Sequence, residues 1–213
     1  MNKKSQSTKE KYNRNAHRYD LMELFPETFF LGRFRKKLFA HVRGKKILEV
    51  GVGTGKNIPY YPKEIAVTAI DFSEEMMKRA HKKANELHST VDLQMMDIES
   101  MQFESNSFDA VIATFVFCSV PDPIRGLKEV RRVLTPAGHF YATEHVRPSS
   151  LFFGKLFDTL APFVERRTGV NINRNTINNI RIAGFDIERE TNLLFDIFKF
   201  IIAQPALKDK HAA

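Results

Sequence analysis

Hydrophobic positions fall in short blocks along this chain, with amphipathic stretches between them. KKILEV, AVTAID, VDLQMMD and SFDAVIATFVF each hold a run of apolar or β-branched residues short enough for a buried strand, and AGHFYATEHV follows the turn TPAG as a fifth. Between them SEEMMKRAHKKANEL and DPIRGLKEVRRVL carry apolar residues at helical spacing. Ser73 stands where an N-cap belongs. SLFFGKLFDTLAPFVERR predicts a strongly apolar helix, and RNTINNIRIAG a short one ending at Gly184. GFDIERET and LLFDIFKFIIAQ predict two closing strands with no helix between them, joined near Thr191 and Asn192. At the N-terminal end two helices are expected, near residues 7–18 and 27–42. The second sets Leu31, Phe34 and Leu38 on one face and Arg33, Lys36 and Lys37 on the other.

Strands alternating with helices predict an α/β fold: a doubly wound, mostly parallel, Rossmann-like seven-stranded sheet, its last two strands an antiparallel C-terminal edge hairpin. Such a sheet binds its ligand beyond the carboxyl ends of its strands, where the strand order reverses. That places the turn after KKILEV at the ligand.

Composition changes the picture in only two ways. Hydrophobic residues make up 43% of 213 and charged residues 27%, ordinary usage for a globular domain. A single cysteine, Cys118, excludes an internal disulfide and a cysteine-based zinc cluster, and no metal site is expected. The chain reads as cytoplasmic: its first residues are polar throughout, and no apolar run reaches the roughly eighteen residues a membrane span needs. The net charge of +8 is unevenly placed. Residues 1–46 hold thirteen Lys/Arg against four Asp/Glu, and the rest of the chain twenty against twenty-one. The same N-terminal segment contains LFPETFFLGRFRKKLF. Basic charge beside aromatic rings reads first as a surface helix packed by its Phe face. An anionic membrane surface comes second and nucleic acid third.

The loop itself, EVGVGTGKN, fails two common patterns. A dinucleotide loop counted from Gly51 or Gly53 would need glycine where Lys56 or Ile58 stands. A phosphate loop would need glycine at Val50 and a hydroxyl at Asn57. What the chain does present is Glu49-x-Gly51-x-Gly53-x-Gly55. Alternating glycines let a turn pass close beneath a ligand. A carboxylate at the strand end suits a cationic, amine-bearing ligand better than a pyrophosphate.

With this loop, the acid in TAIDFS and the acid in MMDIES in that order, the chain resembles the class I S-adenosylmethionine-dependent methyltransferases from about residue 45 onward. The resemblance implies S-adenosyl-L-methionine as cofactor and S-adenosyl-L-homocysteine as product. It implies that Asp71 holds the ribose hydroxyls, Phe72 lies against adenine, and Asp97 accepts from the adenine amino group beside the Ile98 amide. The backbone around Thr114 would face the methionine part. TFVFCSV, EVRRVL, EHV and GVNINRNT further resemble the branch of the small-thiol methyltransferases, and YNRNAHRYD resembles bacterial phosphatidylethanolamine N-methyltransferases. By that likeness residues 1–44 form a basic, Phe-rich helical lid or membrane-surface contact. Tyr19 would lie over the cofactor and Tyr12 at the substrate. Residues 45–205 form the cofactor-binding domain, and 206–213 a disordered tail.

The expected activity is methyl transfer to a small lipophilic thiol, amine or phospholipid headgroup, the alternatives being a nucleic-acid methyltransferase using the basic N-terminal segment and a non-catalytic S-adenosylmethionine-binding module. His145, at the end of the fifth strand, is the candidate general base, since a neutral imidazole suits that role. Phe152, Phe153 and Phe157 are candidates for an apolar acceptor pocket, and Cys118 reads as packing. Nucleic acid as acceptor is disfavoured: TFVFCSVPDP stands after the fourth strand, where base-amino methylases carry Asn/Asp-Pro-Pro-Tyr.

Overall fold

The structure, a computed structural model, describes residues 5–14 and 30–206. Residues 5–14 are helical (α1). They are followed among the described residues by α2 (Gly32–His41), β1 (Lys46–Val50), β2 (Ala66–Asp71), α3 (Glu74–Glu86), β3 (Asp92–Met95) and β4 (Phe108–Thr114). The rest of the chain forms α4 (Pro123–Val133), β5 (Leu134–His145), α5 (Leu151–Thr168), α6 (Thr176–Ile182), β6 (Phe185–Leu194) and β7 (Phe198–Pro205). The seven strands make one sheet in the order β3-β2-β1-β4-β5-β7-β6. The first five are parallel; β7 runs antiparallel between β5 and β6. The doubly wound sheet with an antiparallel edge hairpin is therefore as the periodicity indicated.

The two faces follow from strand alternation. In β1, Leu48 and Val50 join Val111, Ala113, Phe140 and Ala142 beneath α4 and α6, whose Leu127, Val130 and Ile180 are buried there. Ile47 points the other way with Ile112, Tyr141 and Phe200, under Leu38 of α2. Ala69 meets Met77 and Ala80 of α3 on that same side. Glu49 and Thr114 keep the parity of Ile47 and Ile112. Two polar side chains thus point toward α2 within an apolar layer.

Caps fix where the helices begin. Ser73 Oγ accepts from the Met76 amide, as the sequence suggested, and Asp122 accepts from Arg125 ahead of Pro123 at the first turn of α4. Gly169, at φ +86, ends α5 in the left-handed region.

Three boundaries differ from expectation. The TPAG turn does not precede β5 but bulges within it: Leu134 pairs with Phe108, and pairing resumes at His139 opposite Ala110. The hairpin turn lies at Phe195–Asp196, not at Thr191–Asn192, because Thr191 and Asn192 pair with Phe200 and Lys199. The Asp196 carboxylate holds the turn there, accepting from the Ser149 amide at 2.9 Å and pairing with Lys199 at 2.9 Å. Of the expected N-terminal helices, the parts in residues 15–29 lie outside the described residues.

Candidate active site

Beyond the carboxyl ends of β1, β2 and β4 opens a cavity of about 860 Å³, its solvent-facing mouth included. The glycine turn makes one wall. Gly51, Gly53 and Gly55 have φ of +67, +56 and +82, a region costly for side-chain-bearing residues. Their surroundings differ. A Cβ on Gly51 would sit 2.7 Å from Val116, and one on Gly55 would sit 2.7 Å from Ile58 and 3.3 Å from the backbone of α3. A Cβ on Gly53 would meet nothing within 4 Å and would project into open space. Gly51 and Gly55 are small for the protein's own packing. Gly53 is small on the side left free.

Asp71, at the end of β2, ties this turn to the next strand. Its Oδ2 accepts from the Gly53 amide at 2.9 Å and its Oδ1 from the Ser73 amide at 2.8 Å. Burial pushes its carboxyl up to about 6, against those two bonds. Phe72, Asp97 and Ile98 line the same wall, with Asp97 Oδ1 accepting from the Glu99 amide.

Glu49 does not line the cavity but lies behind it, 1% exposed. It accepts from Asn57 Nδ2 at 2.9 Å and from the Tyr61 hydroxyl. Asn57 Nδ2 also donates to Thr114 Oγ1 at 2.8 Å, and Arg35 Nη1 donates to both Asn57 Oδ1 and Thr114 Oγ1 at 2.9 Å. A buried carboxylate and a buried guanidinium thus meet on one side-chain amide, Asn57, which with Arg35 also holds the Thr114 hydroxyl. Burial raises Glu49 to about 7. Arg35 itself lines the cavity, its guanidinium 5.5 Å from the Phe115 ring centroid.

Phe115 is strained. It takes φ +60 immediately after β4, a conformation that costs a bulky residue about 1–2 kcal/mol. Three bonds hold it: its amide donates to the Thr143 carbonyl at 2.8 Å, and the next two amides, Val116 and Phe117, donate to Glu144 Oε1 at 3.0 and 3.1 Å. Glu144 is buried and pushed up to about 7. It acts as an anchor for the loop that forms the opposite wall.

Helix α1 lies across the mouth. Tyr12 lines the cavity, shares a hydrogen bond with Ser119 at 2.6 Å and packs against Phe72. Asn13 Oδ1 accepts from Ser73 Oγ at 2.7 Å, and Lys9 pairs with Glu74 at 2.8 Å. The helix therefore touches both the β2–α3 side and the β4–α4 side of the opening.

The structure brings Tyr12, Gly51, Gly53, Asp71, Phe72, Asp97, Ile98 and Thr114 to one cavity. Gly55 supports it through packing, and Tyr19 lies outside the described residues. His145, Phe152, Phe153 and Phe157 are not among its lining. His145 is stacked on Phe157 and edge-on to Phe198, and burial lowers it to about 4, so it is neutral. Phe152 is 74% exposed. Residues that the motif reading did not single out are Arg35, Asn57, Tyr61, Phe115, Glu144 and Ser119. For Arg35 the signal was present: position 35 falls on the same helix face as Leu31, Phe34 and Leu38.

Residues 48–142 match a family described as a methyltransferase domain. Over that stretch the chain is similar to this family. A phosphatidylethanolamine N-methyltransferase of Cereibacter sphaeroides is 42% identical over 115 residues, 52% of this chain and 57% of that protein. The human thiol S-methyltransferase TMT1A is 42% identical over 112 residues, 51% and 46%. The chain thus spans about half the length of these curated relatives. The crystal structure of an S-adenosylmethionine-dependent methyltransferase from Thermotoga maritima shares the fold, with a TM-score of 0.70 and 19% identity over 92% of this chain and 98% of that one. The matched family and the fold imply S-adenosylmethionine as cofactor, and the cavity fits it: open space at Gly53, a buried carboxylate at Asp71, and Phe72 and Ile98 as apolar lining. Among the described residues no helix is long and apolar enough to cross a membrane.

Proposed function

We propose that the protein transfers a methyl group from S-adenosylmethionine to a small lipophilic acceptor, a thiol, an amine or a phospholipid headgroup, by in-line displacement. The observation that carries this reading is a single cavity that joins the glycine turn, Asp71 and Asp97 to Tyr12 and Arg35 of the N-terminal helices. Asp71 would accept from the ribose hydroxyls, Phe72 and Ile98 would flank the adenine, and Asp97 would accept from its amino group. Arg35, lining the cavity, offers a positive charge to the carboxylate of an amino-acid end, with Glu49 behind it holding Asn57 in place. The cofactor supplies an electrophilic sulfonium methyl when bound. The protein's task is to orient the acceptor and exclude water. Tyr12, bonded to Ser119, is placed to close that side, with Tyr19 as a second candidate for the lid.

Proton removal is the weaker part of the machinery. His145 as a general base would hold a proton poorly, since burial disfavours its imidazolium. Such a site suits a thiol, which ionises near pH 8.5 unaided, better than an amine. The names of the two relatives, one acting on a phospholipid headgroup and one on thiols, span the same range. Peripheral contact with an anionic membrane surface belongs to this reading.

The test is incubation of the pure protein with methyl-labelled cofactor and a cell extract divided into lipid, small-molecule and RNA fractions. Label in the lipid or small-molecule fraction is expected. Label confined to RNA, or none anywhere, would sink the proposal.

A further inference from the structure

Helix α5 leaves much of its apolar surface bare. Its buried positions are Gly154 and Ala161, with Phe157 and Val164 partly covered on the same side. On the outer side Phe152, Leu156, Leu160 and Phe163 follow one another at spacings of four, four and three, joined by Phe153. All are exposed, Phe163 at 68%, and Leu151 at the helix start at 81%.

A second element adds to this face. The β6–β7 turn carries Phe195 at φ +45 and Asp196 at φ +58. A turn with both central residues in the left-handed region calls for Asn and Gly. A phenylalanine there, 84% exposed, neither relieves the turn nor packs. The bond from the Ser149 amide to Asp196 fixes this turn beside the start of α5. Two independent elements therefore present bare aromatic rings at the same end of the sheet.

Most of the charges around the face that lack an ion pair are basic. Lys155, Arg166 and Arg167 are exposed and have no ion-pair partner among the described residues. Of the two acids of α5, both exposed, Asp158 is paired with Arg147 and Asn173, and Glu165 contacts Asn171 at 3.5 Å. The face also adjoins the cavity. Lys11 of α1 donates to the Glu165 carbonyl, and the Asn171 amide to the carbonyl of Cys118, next to Ser119 on the cavity wall.

We propose that this face is a bilayer-docking surface, in which Phe152, Phe163 and Phe195 enter the headgroup–acyl boundary of an anionic membrane while Lys155, Arg166 and Arg167 lie at phosphate level. Apolar area with a basic border is what such an interface binds. A second copy of the chain fits less well, since an isologous contact would set the three cations against themselves. The docking stands on this surface alone. Only its use, passage of a lipophilic acceptor from membrane to cavity, rests on the acceptor reading above.

The chain has no tryptophan, so Phe152→Trp and Phe195→Trp each give a single reporter. Full-length protein is mixed with phosphatidylcholine vesicles with and without phosphatidylglycerol, without cofactor or acceptor, and partition is measured by flotation. Binding to the anionic vesicles, with a blue shift of both reporters and quenching by brominated lipid, is the expected result. Phe152→Ser, Phe163→Ser and Phe195→Ser should each lower the partition constant about fivefold to tenfold. Lys155→Gln and Arg166→Gln should do so by about fivefold each, with cofactor binding and melting temperature retained. Equal partition onto neutral vesicles, or a triple serine variant that floats as well as the parent, overturns the proposal. So does a reporter already blue-shifted without vesicles, as a cover from residues 15–29 or a second copy would give. Because no methyl transfer is measured, a failed acceptor assay leaves the outcome readable.

Discussion

The two ends of the ligand-facing side of the sheet are built on opposite principles. Around β1, β2 and β4 the side chains are buried and bonded to one another: Glu49, Asn57, Asp71 and Thr114 are each under a tenth exposed and each has named partners. Around α5 and the β6–β7 turn, large apolar side chains stand bare and bond to nothing polar. The first region accepts the strain of ionisable groups held out of water in exchange for fixed geometry, as recognition of one invariant ligand requires. The second has little to hold a particular shape and much surface to offer, which suits a variable, greasy partner.

Substitutions should separate the two. Asp71→Ala removes an acceptor that holds the Gly53 and Ser73 amides and that the cofactor would share. Its dissociation constant for S-adenosylhomocysteine should rise about a thousandfold, roughly 4 kcal/mol, by calorimetry; a change under tenfold would remove Asp71 from the site.

Glu49→Gln tests the buried carboxylate through pH. The folded pKa, about 7, lies above the ordinary carboxylate value of 4.5, so the folded state binds more protons than the unfolded one between those limits. Stability therefore falls as pH rises from about 4.5 to 7, by about 3 kcal/mol from this group. Melting curves of the unliganded protein should slope down over that window, and Glu49→Gln should make the slope shallower, Asp71 and Glu144 carrying the remainder. An unchanged slope would mean that Glu49 keeps its charge there.

Gly53→Ala comes next. Nothing opposes its methyl group, so the loss is conformational, about 1–2 kcal/mol of stability by denaturant titration, accompanied by weaker cofactor binding. Smallest is Phe152→Ser with Phe163→Ser. Stability should stay within about 0.5 kcal/mol for each substitution because both side chains are already in water. The Michaelis constant for a lipophilic acceptor should rise while cofactor affinity holds. A large loss of stability would mean that α5 is packed against something, and the contrast between the two regions would fall.

What could be read from the chain beforehand followed the same division. The sheet was legible because each strand is a compact apolar block and each helix has its own period, and Ser73 caps where a serine before two acids should. Gly53 and Asp71 could be placed at the cavity beforehand because each stands at a strand end; Glu49 stands at one too but lies behind the lining. The inward face of Arg35 was legible from its place beside Phe34 and Leu38, but its partner was not, because it meets Thr114 across 79 residues and only the packing of α2 on the sheet brings them together. Nothing local marks Phe115 or Phe195 for a left-handed backbone. The hairpin turn was misplaced for a related reason: Thr191–Asn192 has turn chemistry, but pairing with β7 and the hold of Ser149 on Asp196 decide the register. Nor does periodicity say which apolar side of α5 is covered, since a buried and a bare stripe repeat alike.

Cys118 has a practical consequence. It is the chain's only sulfhydryl, it is buried, and its surroundings push it up to about 12. At neutral pH it is almost wholly un-ionised and so silent to alkylating dyes and to disulfide exchange. An assay that counts sulfhydryls by colour therefore sees the acceptor and not the catalyst, and oxidising buffers leave no covalent adduct to mistake for turnover.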